Sequence, residues 1–292
     1  MRVKHLIAVL SAVAACVTLS SGAEPAPKAQ KLFAFCVELG VPGPHHYSFA
    51  EQAKILRQLG YDGVGMPIDA NFAENLRALD DAGLPLLNLW TGVDVRPDKV
   101  AYAPNVAEAI RALKGRPVVV NTLMHGLKPG DPQGLPAAIK ALRALGDAAA
   151  EAGVRIAVYH HTHDWTEHLE FTIDVVGKVN HPQVGYQFNL CHWLMVEGQR
   201  DFRPLLRQNP GKLFGVSISG ATLGAKTWTN GLIRPLDEGD FDFRPLLATL
   251  DEIGYRAPVG QQCFGVRGDP RDYLARSIKV WRELHRGAPS GK

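Results

Sequence analysis

Blocks of like charge are absent from this chain of 292 residues: 32 Lys and Arg stand against 29 Asp and Glu, a formal net charge of +3. No basic cluster stands outside the first few residues, so the electrostatic footprint of a nucleic-acid binder is missing and a small neutral partner fits better. Cysteine is scarce at four residues, Cys16, Cys36, Cys191 and Cys263, which excludes a disulfide framework. No Gly-x-Gly-x-x-Gly follows the first predicted strand, which weakens a dinucleotide-binding reading. After the N-terminus no apolar run is long enough to cross a bilayer.

The chain opens Met-Arg-Val-Lys-His, then runs through apolar and small residues from Leu6 to Leu19 to Ser21-Gly22-Ala23. A basic start, a short apolar stretch and small residues before the cut describe a secretory signal over residues 1–23, and hence a periplasmic or secreted protein. Val13-Ala14-Ala15-Cys16 also reads as a lipobox, in which Cys16 would carry a lipid anchor; the apolar run continues past it, which favours ordinary cleavage. Residues 24–31 (EPAPKAQK) form a polar Pro/Ala linker. A single domain is expected over 32–286, with a short tail at 287–292. Cleavage would leave three cysteines, for which buried free thiols are the simplest state; one pair, Cys36 with Cys263, is open if the first and last strands adjoin.

From Leu32 short apolar runs alternate with longer segments of helical period, the signature of repeated βα units. The expected strands are Leu32–Val37, Gly63–Pro67, Pro85–Trp90, Pro117–Leu123, Val154–His160, Val184–Phe188, Leu213–Ile218 and Pro258–Cys263. Helices are expected between them, three of which, Ser48–Leu59, Leu135–Ala152 and Phe243–Ile253, run into glycine before the next strand. Eight units in a chain of this size favour one closed (β/α)8 barrel of the TIM type, which commonly takes about 250 residues. In such a barrel the chemistry sits at the C-terminal ends of the strands.

Those ends supply Glu38, Met66, Trp90, His125, Tyr159 with His161, Asn189 with His192, Ser217 with Ser219, and Gln262. Glu38 is the only carboxylate directly on a predicted strand end, where desolvation would suit it to proton transfer. The run Tyr159-His160-His161-Thr162-His163-Asp164-Trp165 is the densest imidazole cluster. Alternation puts Tyr159, His161 and His163 on one face and His160 on the other, so His161 is the first candidate for an acid or base. His192 follows Asn189 by three residues, and the loop after the strand tip would return it to the cavity. Trp193 and Trp90 are candidate stacking faces for a sugar, and His125 a further polar contact. A pair of histidines without a nearby carboxylate is a weak zinc signal.

Leu59-Gly-Tyr-Asp-Gly-Val64, Gly153-Val-Arg-Ile-Ala-Val-Tyr-His160, Gly185 to His192, and Glu238-Gly-Asp-Phe-Asp242 followed by Gly254-Tyr255 together resemble the xylose isomerase-like barrels of the sugar phosphate isomerase/epimerase superfamily, over about Leu32 to Leu284 and nearest its exported bacterial branch. Members similar to ketose epimerases hold a divalent metal with Glu, Asp, His and Glu on strands five to eight. The resemblance puts those positions on Tyr159, Asn189, Ser217 and Gln262, none of which keeps the ligand, while the substrate-side His is kept as His192. Hard cations want anionic oxygens, so a tightly bound metal is disfavoured and no cofactor is expected. Abasic-site endonuclease action, which needs a carboxylate metal cluster, is disfavoured with it.

The resemblance implies an isomerase- or epimerase-like enzyme acting by proton transfer next to a carbonyl on a sugar or keto-sugar. His161 or Glu38 would be the base, and His192 the acid or oxyanion partner. Tyr159, Asn189, Ser217, Gln262, His125, Trp90 and Trp193 would be the substrate contacts, and Lys128, Arg234 and Arg267 are the loop cations able to hold a phosphate. Two alternatives stay open: a keto-sugar lyase or hydratase on the same barrel, and a sugar-binding protein without catalysis.

Overall fold

The computed structural model describes residues 30–286; the expected signal, Cys16, most of the linker and the tail lie outside them. Eight parallel strands close in sequence order into one barrel, with β1 (Leu32–Cys36) hydrogen-bonded to both its neighbours in the ring. The others are β2 (Val64–Pro67), β3 (Leu86–Asp94), β4 (Val119–His125), β5 (Arg155–Tyr159), β6 (Val184–Asn189), β7 (Leu213–Ile218) and β8 (Val259–Gln262). The eight expected strands are all present, and β3 runs four residues past its expected end.

Local sequence explains the helices. In α1 (Phe49–Leu59) Ser48 and Glu51 close a reciprocal capping box, and Gly60 ends the helix at φ 86°, a left-handed conformation glycine takes without strain. The helix α2 (Phe72–Ala82) ends likewise at Gly83, α3 (Asn105–Ala112) is short, and α4 (Leu135–Ala152) stops at Gly153. After β5 comes α5 (Leu169–Val179). Leu56 and Leu142 point at the sheet and are buried; each contributes about 2–3 kcal/mol by leaving water. Among the described residues no helix is long and apolar enough to cross a membrane.

One expectation fails after β6. Instead of a loop, residues Leu190–Glu197 form a helix, α6, whose first turn is capped by the Asn189 side chain. Its apolar residues surround it on all sides, as expected of a buried helix, so no amphipathic period announces it. The chain then continues through α7 (Arg203–Gln208), α8 (Arg244–Glu252) and α9 (Pro270–Arg286).

Inside the barrel Phe33, Phe35, Leu87 and Tyr159 form a small cluster with Trp90 and Leu123, separate from the large core between sheet and helices. Cys36, Cys191 and Cys263 are free thiols. The Cys263 N–H donates to the Cys36 carbonyl at 2.7 Å, so the first and last strands do adjoin. Burial pushes the Cys36 thiol up to about 12, which makes it a poor nucleophile.

Candidate active site

The inward ends of β5 to β7 carry a polar network that is closed on itself. The Asn189 Nδ2 donates to the Tyr159 hydroxyl, which also meets Ser217, and Gln187 Nε2 donates to Ser217 Oγ at 3.0 Å. Asn189 Oδ1 accepts from the Cys191 N–H at 3.0 Å and the His192 N–H at 3.3 Å, capping α6. Tyr159, Asn189 and Ser217 are all buried, and burial holds the Tyr159 phenol well above its ordinary value. The sequence reading puts these three against substrate; the structure shows them bonded chiefly to one another and to the backbone.

At these positions the donors are a protonated phenol, an amide used as a helix cap and a hydroxyl, none of them anionic. That set does not fit a hard divalent cation. No group of three His, Cys, Asp or Glu with metal-binding geometry occurs among the described residues.

Nearer solvent the picture changes. The His161 and His192 rings lie 4.2 Å apart between centroids, tilted by 48°. His161 Nδ1 is 3.4 Å from Asp164 Oδ2 without forming an aligned hydrogen bond, and this buried nitrogen has no other partner. Burial lowers the His161 pKa against the pull of Asp164, and burial raises that of Asp164. Both shifts have the same leading cause, the poor solvation of the site, and in each the partner's charge works against it.

His192 accepts the Thr162 N–H at its Nδ1, 3.2 Å away, which leaves the proton of the neutral ring on Nε2. Burial holds its pKa well below the ordinary value. It is only 4% exposed, and the Trp228 ring lies 5.1 Å from its own. His192 therefore stands beside His161, almost wholly enclosed.

His160 faces the other way, as alternation requires. Its Nε2 accepts the Asn189 N–H at 2.8 Å, and burial depresses its pKa to about 3, so it is a neutral structural group. His163 is an exposed loop residue with φ 72°.

In a ring of eight, β1 lies opposite β5, so Glu38 just beyond β1 stands across the mouth from His161. Its Oε1 accepts the Gly265 N–H at 2.8 Å, joining the β1 and β8 loops. Gln262 is 7% exposed, and its buried Oε1 has no hydrogen-bond partner. His125 ends β4 with its Nδ1 2.8 Å from the Val93 carbonyl, leaving Nε2 open. Trp90 is half-buried, 5.5 Å from the Phe35 ring.

Trp193 is a correction. It is 1% exposed, donates its Nε1 to the Arg200 carbonyl and packs among Phe188 and Phe202 in the outer core, because α6 turns it away from the mouth. Arg234 gives Nη1 to the Asn230 carbonyl and Nη2 to Glu238, so its fork is engaged within its own loop.

Trp228 is the site residue that sequence reasoning missed. It sits in the long connection between β7 and α8, which carries no strand or helix period. The one local signal is the turn Thr227-Trp-Thr-Asn-Gly231 in a loop at the catalytic end of a barrel. Two surface hollows of about 330 and 350 Å³ lie between α1 and α9 beside Gly60 and Arg282, near the opposite ends of the strands, away from this chemistry.

Solved structures with the same fold share little sequence with this chain. The 3-keto-D-glucoside 4-epimerase YcjR from E. coli superposes with a TM-score of 0.68 at 16% identity, over 87% of this chain and 99% of that one. The probable 3-DHS dehydratase AsbF from Bacillus anthracis gives 0.64 at 14% identity, over 86% and 98%. The D-allulose 3-epimerase from Methylomonas sp., in complex with D-allulose, gives 0.64 at 17% identity, over 89% and 98%. No curated protein matches the sequence. The family model for the xylose isomerase-like TIM barrel matches residues 53–284, and the chain belongs to that family.

Proposed function

We propose that this protein is an isomerase- or epimerase-like enzyme that moves a proton next to the carbonyl of a sugar or keto-sugar, and that it does so without a tightly bound divalent cation. The observation that carries the reading is the His161–Asp164 pair at the tip of β5. A neutral His161 can accept a proton at Nε2, and the imidazolium so formed draws Asp164 into an aligned charge-assisted hydrogen bond at Nδ1. Asp164 thus stabilises the charge without taking the proton itself. His192, held by Thr162 and packed at a tilt against His161, is a positioning residue for that ring.

Epimerisation requires one group to remove a proton from a carbon and a second to return one to its other face. The opposed tips of β5 and β1, carrying His161 and Glu38, suit that demand. Gln262 offers a free acceptor to a sugar hydroxyl, and His125 and Trp90 complete the rim. Elimination of a hydroxyl from the same carbanion would make the enzyme a lyase, a second outcome on the same base. The similarity in fold to two sugar epimerases and a dehydratase supports this range of reactions. The N-terminal signal motif adds the proposal of a periplasmic or secreted setting, in which an unphosphorylated sugar is the natural substrate.

The test is proton exchange. Wild-type protein in D₂O is incubated with D-allulose, other ketoses and 3-keto-D-glucosides, and the protons next to the carbonyl are followed by NMR. Enzyme-dependent loss of one such signal with at least one sugar is expected. Sugar binding with no exchange in any of them would favour a binding protein instead.

A further inference from the structure

Trp228 is held by a turn whose construction exceeds what a surface loop needs. The Leu232 N–H and Ile233 N–H return to the carbonyls of Thr227 and Trp228 at 2.9 Å each. Asn230 takes the left-handed region at φ 58°, and a side chain on Gly231 would collide with the Thr227 carbonyl. Arg234 braces the turn through the Asn230 carbonyl and Glu238, and Gly220 pairs with Arg234 through two backbone hydrogen bonds at the end of β7. On the far side Thr229 packs against Gly265, the residue whose N–H holds Glu38. The turn therefore spans the mouth from the imidazole side to the carboxylate side, with Trp228 half-buried between them.

Beneath it runs a nearly continuous aromatic floor. Successive ring centroids from Trp90 through Phe35 and Tyr159 to His161 lie 5.5, 6.0 and 5.9 Å apart. His192 is 4.2 Å from His161 and 5.1 Å from Trp228, so Trp228 and His161 flank the same imidazole. A sugar seated against His161 lies within reach of Trp228. At the β8 tip the unpartnered, buried Gln262 Oε1 awaits a hydroxyl donor.

We infer that Trp228 is the stacking wall of the sugar site, and that the site takes its sugar as a closed ring with Gln262 accepting one ring hydroxyl; this rests on the sugar-directed reading above. A pyranose presents a flat face of C–H groups that packs on an aromatic plane while its hydroxyls point to the edges. An open-chain polyol has the same hydroxyls but no such face. The aromatic floor and wall thus select ring form before chemistry begins.

Calorimetric titration with methyl β-D-gluco-, galacto- and mannopyranoside, which are locked rings, and with D-glucitol, an open chain, tests this directly. Wild-type protein is expected to bind at least one glycoside and to bind D-glucitol more weakly. Trp228→Ala should weaken the glycoside about tenfold, and Trp228→Phe, which keeps an aromatic face, less than about threefold. Thermal melts of both variants check that the fold persists, and Gln262→Leu should weaken the same glycoside. Equal glycoside binding by wild type and Trp228→Ala, equal binding of D-glucitol and glycoside, or no glycoside binding by the wild type would overturn the inference. Glycoside binding that depends on Trp228, with no proton exchange in any keto-sugar, would sink the proposed reaction and leave the wall standing.

Discussion

Two layers of polar side chains occupy the strand tips, and they differ in whether their hydrogen bonds are complete. In the deep layer Tyr159, Asn189, Ser217 and Gln187 satisfy one another and cap α6. In the rim layer His161 Nδ1 and Gln262 Oε1 have no hydrogen-bond partner, and Asp164 stands close to His161 without closing a bond. A satisfied layer rigidifies, whereas an unsatisfied one is available to a ligand. By resemblance Tyr159, Asn189 and Ser217 of the deep layer correspond, together with Gln262 of the rim, to the positions of a metal cage; the three deep ones are engaged as framework, and the reaction proposed above is placed at the rim.

Substitutions in the two layers should therefore fail differently. The largest effect is expected at the rim: His161→Ala should lower the rate of proton exchange about a hundredfold to a thousandfold while leaving the thermal midpoint nearly unchanged. In the deep layer the pattern reverses. Asn189→Ala removes a helix cap and one of the two partners of the buried Tyr159 hydroxyl, so it should cost about 2–3 kcal/mol in urea unfolding. Comparable stability losses from both variants would erase the distinction.

A smaller effect separates the members of the rim itself. Asp164→Asn keeps the shape but cannot stabilise an imidazolium, and about a tenfold loss in rate is expected. Because the charge of Asp164 raises the His161 pKa against desolvation, its removal should also move the acid limb of the pH–rate profile to lower pH. An unmoved limb would mean that Asp164 does not face the working imidazole.

The mildest test uses pH alone. His160, His161 and His192 all have folded pKa values below the ordinary 6.5, His160 at about 3. The unfolded chain therefore binds protons at a higher pH than the folded one. Their contribution is fully present above 6.5 and is lost as pH falls toward 3. The urea midpoint should drop measurably from about pH 7 to about pH 5, and a flat midpoint would contradict the buried neutral imidazoles.

Much of this arrangement was legible before the fold was known. Period-two and period-3.6 stretches punctuated by Gly60, Gly153 and Gly254 describe a βα repeat, and alternation correctly sends His160 outward and Tyr159 inward. Asn189 reads as a mouth residue, but its second role leaves no signal: an apolar run such as Leu190–Glu197 has no polar face to mark it as helix. Trp193 followed that error to the wrong side. Trp228 was illegible for a different reason, since a residue in a loop is positioned by tertiary hydrogen bonds, here those of Arg234 and Gly220, which leave no periodic trace.

The most direct test of a mouth that works through its rim histidines is solvent-deuterium exchange into a keto-sugar by protein stripped with a chelator and assayed with and without added Mn²⁺. The account predicts undiminished exchange in the stripped wild-type protein and its loss in His161→Ala. Exchange that vanishes on stripping, returns with Mn²⁺ and survives His161→Ala would contradict it.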